Sequence, residues 1–103
     1  VSSPELREVP FVHLSDLSVD LQSSLKTDTT IQNVLTLFEE KGSDTRLYFV
    51  GLGNYQETIV GRIVVGPDGE YSNPQLVRMP GSELKERRPV ELVLDCVEDA
   101  AWD

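Results

Sequence analysis

Residues Val19 to Gly42, VDLQSSLKTDTTIQNVLTLFEEKG, constrain the fold of this chain more than any other stretch. Val19, Leu21, Ser23 and Leu25 alternate with Asp20, Gln22, Ser24 and Lys26, the period of two that a strand with one wet face requires. Leu14, Leu17, Leu21 and Leu25 also fall at helical spacing, so a helix over the same residues competes with that strand. Immediately downstream, Ile31, Val34, Leu35 and Phe38 stand at i, i+3, i+4 and i+7, one apolar stripe of a helix. Thr29 and Gln32 have the spacing of a capping box. Gly42 suits a left-handed helix end, with Lys41 near the negative terminus. The alternation takes precedence over residues 19–26, and the sequence predicts a strand there followed by one principal helix over about 29–41.

The rest of the chain reads mostly as strands. Val9 to Leu14 (VPFVHL) is a first strand, with Pro10 marking an edge or an entry point. Arg46 to Leu52 (RLYFVGL) is rich in strand formers, Gly53-Asn54 breaks it, and Glu57 to Val65 resumes it. Gly61 within that run marks a bulge or close packing. Gly66-Pro67-Asp68-Gly69 is a turn, since proline presets one dihedral and glycine accepts a positive one. Gln75 to Met79 is a short strand, Ser82 to Arg87 one helical turn, and Val90 to Val97 a last strand with Val90, Leu92, Leu94 and Cys96 inward. This gives a lead-in over residues 1–8, a single α+β domain over 9–97 and an acidic tail over 98–103.

A hairpin followed by a helix that covers its apolar face opens a β-grasp fold. Leu25-Lys26-Thr27-Asp28-Thr29-Thr30-Ile31-Gln32-Asn33-Val34-Leu35 resembles the strand-to-helix junction of ubiquitin-like and Ras-association domains. Pro89-Val90-Glu91-Leu92-Val93-Leu94 resembles their closing strand, with Arg46 to Val50 as the third. The resemblance covers about half the chain and implies a β-grasp-like mixed sheet under the helix at about 29–41. Two departures bear on function. The chain lacks the Gly-Gly ending used in conjugation, and its second strand would carry Asp20, Gln22, Ser24 and only Lys26 where Ras-binding members are basic.

Eighteen acidic against nine basic residues give a formal charge of −9. Phosphate backbones are bound by Lys and Arg that displace counterions, so the charge balance predicts no broad nucleic-acid or anionic-membrane footprint. No apolar run approaches the ~20 residues that span a bilayer, and Val1-Ser2-Ser3-Pro4 has neither the charged start nor the apolar core of a signal peptide. Cys96 is the single cysteine, which excludes an internal disulfide and a cysteine-rich zinc site and fits a reducing, cytoplasmic-type compartment. His13 and Cys96 could meet on neighbouring β-grasp strands, but no third group activates such a pair. The carboxylates, including Asp95, Asp99 and Asp103 at four-residue intervals, lack the spacing of a calcium loop. The sequence therefore predicts no enzyme, no cofactor and no metal site.

The expected function is a protein–protein interaction module, an adaptor or regulatory domain using a sheet face or edge to engage a basic or amphipathic partner. Strand parity nominates Tyr48, Val50 and Val93, with Trp102 from the tail, as apolar contacts, and Asp20, Glu91 and Asp95 as their acidic surround. The alternative is a small acidic inhibitor or immunity-type protein that blocks a nucleic-acid-binding enzyme by presenting carboxylates in place of phosphates.

Overall fold

The computed structural model describes residues 5–40 and 45–99. Five strands, β1 (Leu6–Glu8), β2 (Ile31–Glu40), β3 (Arg46–Gly53), β4 (Thr58–Val64) and β5 (Gln75–Met79), form one antiparallel sheet in chain order. A 3-10 turn (Leu14–Asp16) and α1 (Val19–Lys26) lie between β1 and β2, and α2 (Glu83–Glu86) and α3 (Pro89–Asp99) follow β5. The class is α+β.

The sheet is covered on both faces. Leu21 and Leu25 of α1 close one core with Val34, Leu37, Leu47, Phe49, Ile59, Ile63 and Leu76. On the other face Leu92, Val93 and Cys96 of α3 pack with Phe38, Tyr48, Val50 and Val60. A strand buried on both sides needs apolar residues at consecutive positions rather than alternate ones. That is why Leu47-Tyr48-Phe49-Val50 and Ile59-Val60 run unbroken through the centre. Gly61 lies directly opposite Phe49, and a Cβ there would collide with the Phe49 ring. The glycine marks close packing, one of the two roles its position in the run suggested.

The turn at Gly66-Pro67-Asp68-Gly69 forms as expected, with the Gly69 amide donating to the Gly66 carbonyl at 2.9 Å and Gly69 at φ +85°. So does the helical turn after Pro80-Gly81, and β3, β4 and β5 occupy their predicted positions.

Three segments take the opposite secondary structure. Val19 to Lys26 is helical, not extended: Ser18 Oγ accepts from the Leu21 amide at 3.3 Å, and Asp20 and Lys26 complement the helix ends. The competing leucine spacing prevails, since Leu21 and Leu25 are buried while Val19 is 76% exposed. Residues 29–41 hold no principal helix, because Ile31–Glu40 is β2. Its register with β3 shifts between Ile31 and Asn33 and again between Val34 and Thr36. Each irregularity breaks the alternation and leaves the strand with helix-like spacing. The proposed cap residues meet at the strand entry instead, where Gln32 Nε2 donates to the Thr29 carbonyl at 3.1 Å. Beside them Asp28 Oδ1 accepts from the Thr30 amide at 2.9 Å and from the Thr30 hydroxyl at 2.6 Å. The predicted end at Lys41 and Gly42 lies outside the described residues.

Val90 to Val97 belongs to α3, where Leu92, Val93 and Cys96 turn inward together, as helical spacing places them and strand parity does not. Pro89 suits the first position of a helix, where its missing N–H costs nothing. The first predicted strand, Val9 to Leu14, is irregular and leads into the 3-10 turn, whereas residues 6–8 of the supposed lead-in form β1. Residues 98 and 99 of the supposed tail continue α3. The sheet is thus wholly antiparallel rather than mixed, and the two segments that carried the ubiquitin-like resemblance are helix-then-strand and helix.

Candidate interaction surface

Helical geometry places Asp20, Ser23, Ser24 and Thr27 on one side of α1, at i, i+3, i+4 and i+7. That side faces the connection between β4 and β5. Asp68, Gly69 and Glu70 of its turn, followed by Tyr71 and Asn73, form the opposite wall of a groove of about 470 Å³. The walls are tied together by the Ser24 hydroxyl, which donates to the Ser72 carbonyl at 2.6 Å. Ser24 is a polar residue only 7% exposed, and this bond satisfies it.

What sets the groove apart is that it gathers three carboxylates without a cationic partner between walls that hold no Lys or Arg. Elsewhere arginines meet carboxylates: Arg7 with Glu39 at 3.0 Å, Arg46 with Glu40 at 3.9 Å, Arg78 with Glu57 at 3.7 Å and Arg88 with Glu91 at 3.3 Å. Arg87 lies between Glu83 and Asp95. The Asp95 carboxylate, the larger influence, and the neighbouring acids hold the Arg87 guanidinium more firmly charged than usual. Asp20, Asp68 and Glu70 are exposed and have no cationic partner among the described residues. The groove therefore concentrates uncompensated negative charge between walls rich in hydroxyl and amide groups. It can accept hydrogen bonds from an ammonium or guanidinium group.

Of the nominated contacts, Asp20 lines this groove. Glu91 and Asp95 lie on α3 and pair with Arg88 and Arg87, away from it. Tyr48, Val50 and Val93 are corrected: at 1%, 0% and 0% exposure they face one another in the second core. Strand parity assumed one wet face, and this sheet has none. The Tyr48 hydroxyl donates to Glu40 at 3.1 Å, and burial, reinforced by that carboxylate, pushes its pKa up. Trp102 lies outside the described residues. His13 is exposed just ahead of the 3-10 turn on one side of the sheet, and Cys96 is buried under the other, so the two are not brought together.

Asp68, Glu70, Ser23 and Thr27 were not singled out from the sequence. A helical reading of residues 19–26 would have aligned the α1 members, whereas Asp68 and Glu70 join them only through tertiary packing. Among the described residues no group of three or more His, Cys, Asp or Glu is placed to hold a metal ion. No helix there is long and apolar enough to cross a membrane.

Two further depressions flank the first half of β2. One of about 200 Å³ is lined by Leu14, Leu25, Ile31 and Val34, and one of about 560 Å³ by Leu35, Leu52, Tyr55 and Leu84. Leu35 is 42% exposed and Tyr55, at the β3–β4 hairpin tip, 88%.

Comparison with known proteins finds no family model, no curated protein and no solved structure that matches this chain.

Proposed function

We propose that this protein is a non-enzymatic interaction module that binds a basic or amphipathic protein partner, with the groove between α1 and the β4–β5 connection accepting the partner's Lys or Arg side chains. The observation that carries this reading is the clustering of unpaired carboxylates. Asp20, Asp68 and Glu70, none with a cationic partner among the described residues, line one groove whose walls hold no Lys or Arg. Rim charges of this kind act chiefly on encounter rate and orientation, and the formal charge of −9 adds long-range attraction for a basic partner. Depressions with apolar walls beside β2 suit the apolar side of such a partner. The buried thiol of Cys96 suits a reducing compartment such as the cytoplasm.

Phosphate mimicry is the weaker reading. It needs carboxylates free along one continuous face, and Glu39, Glu40, Glu57, Glu91 and Asp95 are committed to arginines.

The test is a pull-down with the full chain, followed by affinity measurements on the recovered partner with wild type and with an Asp20→Asn/Asp68→Asn/Glu70→Gln variant. These side chains make no internal ion pair, so the variant melts within a few degrees of wild type. Its affinity falls about tenfold or more, and added salt narrows the difference. Unchanged affinity in the folded variant overturns the groove's role.

A further inference from the structure

The two open edges of the sheet are guarded differently. At β5, Pro74 and Pro80 bracket the strand and Arg78 lies within it, devices that discourage a further strand from adding. At the other edge β1 covers only the end of β2: its register stops at Glu8 opposite Phe38, and the last backbone bond runs from the Val9 amide to the Leu37 carbonyl at 2.9 Å. Pro10 follows and has no N–H to continue the ladder. From Gln32 to Thr36, β2 therefore pairs with β3 alone among the described residues. This stretch, Gln-Asn-Val-Leu-Thr, contains no charge and no proline, and Gln32, Asn33 and Leu35 are exposed. Its only guard is the pair of register irregularities at Gln32 and Leu35, which limit an added strand to a short contact.

We infer that the uncovered edge of β2, Gln32 to Thr36, is a strand-addition site for an extended segment of the basic partner. The inference rests on the interaction-module reading and gives the partner a conformation. Unpaired backbone amides and carbonyls in a strand edge are complemented by another extended backbone, while side-chain pockets supply preference. Pockets are present on both sides of this edge. The Leu14 and Leu25 depression belongs to the α1 side of the sheet and the Leu52 and Leu84 depression to the α2–α3 side. Successive residues of an added strand point to opposite faces, so alternate apolar side chains would enter one depression and then the other. Charge selects the occupant. A second copy would bring another −9 against the first, whereas an extended segment with Lys or Arg at its ends is attracted at long range. Its apolar middle enters the two depressions, where Lys26 and Lys85 would repel a cation.

The experiment titrates the isotope-labelled full chain with the end-blocked peptide KKVTVTVKK, following backbone amide signals and their exchange with solvent. Signals from Gln32 to Thr36 shift, and exchange at the outward amides slows at least about tenfold. N-methylating alternate peptide residues along one edge weakens binding about tenfold or more, and methylating the other edge does not. Leu35→Asp, at an exposed position, adds attraction for a cation while removing an apolar contact. Weaker binding by that variant supports strand addition, and tighter binding overturns it. Shifts confined to Asp20, Ser23 and Asp68 to Asn73 overturn the edge and leave the groove standing. No shift anywhere, or equal effects of the two methylations, overturns the edge inference. The partner measurements on the groove variant judge the groove separately.

Discussion

The β3–β4 pair and the α1–β2 segment carry similar apolar residues under opposite rules. In β3 and β4 nearly every position is buried, because α1 covers one face and α3 the other. Secondary structure there follows from side-chain type alone: β-branched and aromatic residues in a run admit little else. In α1 and β2 the apolar residues are sparser, and their spacing fits helix or strand about equally. The choice falls to contacts far along the chain. The lesson is that pattern strength tracks how continuously an element is buried, and sparsely buried elements are the ones a tertiary partner can convert.

Substitutions separate the two regions, and the largest effect belongs to the centre. Phe49→Ala removes a fully buried ring that fills the space left by Gly61, and the expected loss is about 3–5 kcal/mol by urea denaturation. A loss near 1 kcal/mol would show that the centre is no more constrained than its cover. Leu25→Ala removes one side of the α1 contact and costs about 2–4 kcal/mol. Far-UV circular dichroism should record weakened helix, not weakened sheet.

Asp28→Ala costs about 1 kcal/mol near neutral pH through lost bonds to Thr30. The Thr30 hydroxyl and then its amide hold the Asp28 carboxyl below the ordinary carboxylate range. Its contribution is therefore complete above the unfolded value and disappears as pH falls through the lower folded one. Paired melts of wild type and variant should converge in acid and diverge toward neutrality. Divergence in acid would reverse the assignment. Smallest of all, Val19→Asp is expected to change stability by less than about 0.5 kcal/mol, because Val19 is exposed in the first turn of α1, where an acid is favoured. Had residues 19–26 been a strand with Val19 inward, the same change would bury a charge.

How far the sequence could be read follows the same division. Arg46 to Leu52, Glu57 to Val65 and Gly66 to Gly69 were legible because type, run length and turn chemistry agree. Residues 31–40 were not, because each register shift offsets the alternation and the remainder imitates a helix. Residues 19–26 held the needed signal in Ser18, Asp20 and Lys26, a cap and two correctly placed charges, against an alternation that burial ignores. For Val90 to Val97, Pro89 and the adjacent pair Leu92-Val93 pointed to a helix. The candidate groove was half legible: Asp20 is visible as an exposed acid, but its meeting with Asp68 and Glu70 depends on where α1 crosses the sheet.

The lid over the second core is encoded after every strand it protects. While the chain is being synthesised, the sheet can assemble and gain its first cover before α3 leaves the ribosome, with Tyr48, Val50 and Val60 still facing water. A shortened chain ending before Pro89 is thus expected to be sticky rather than merely less stable, and to collect in inclusion bodies. Its rescue by α3 supplied as a separate peptide would show that the oily face alone was at fault.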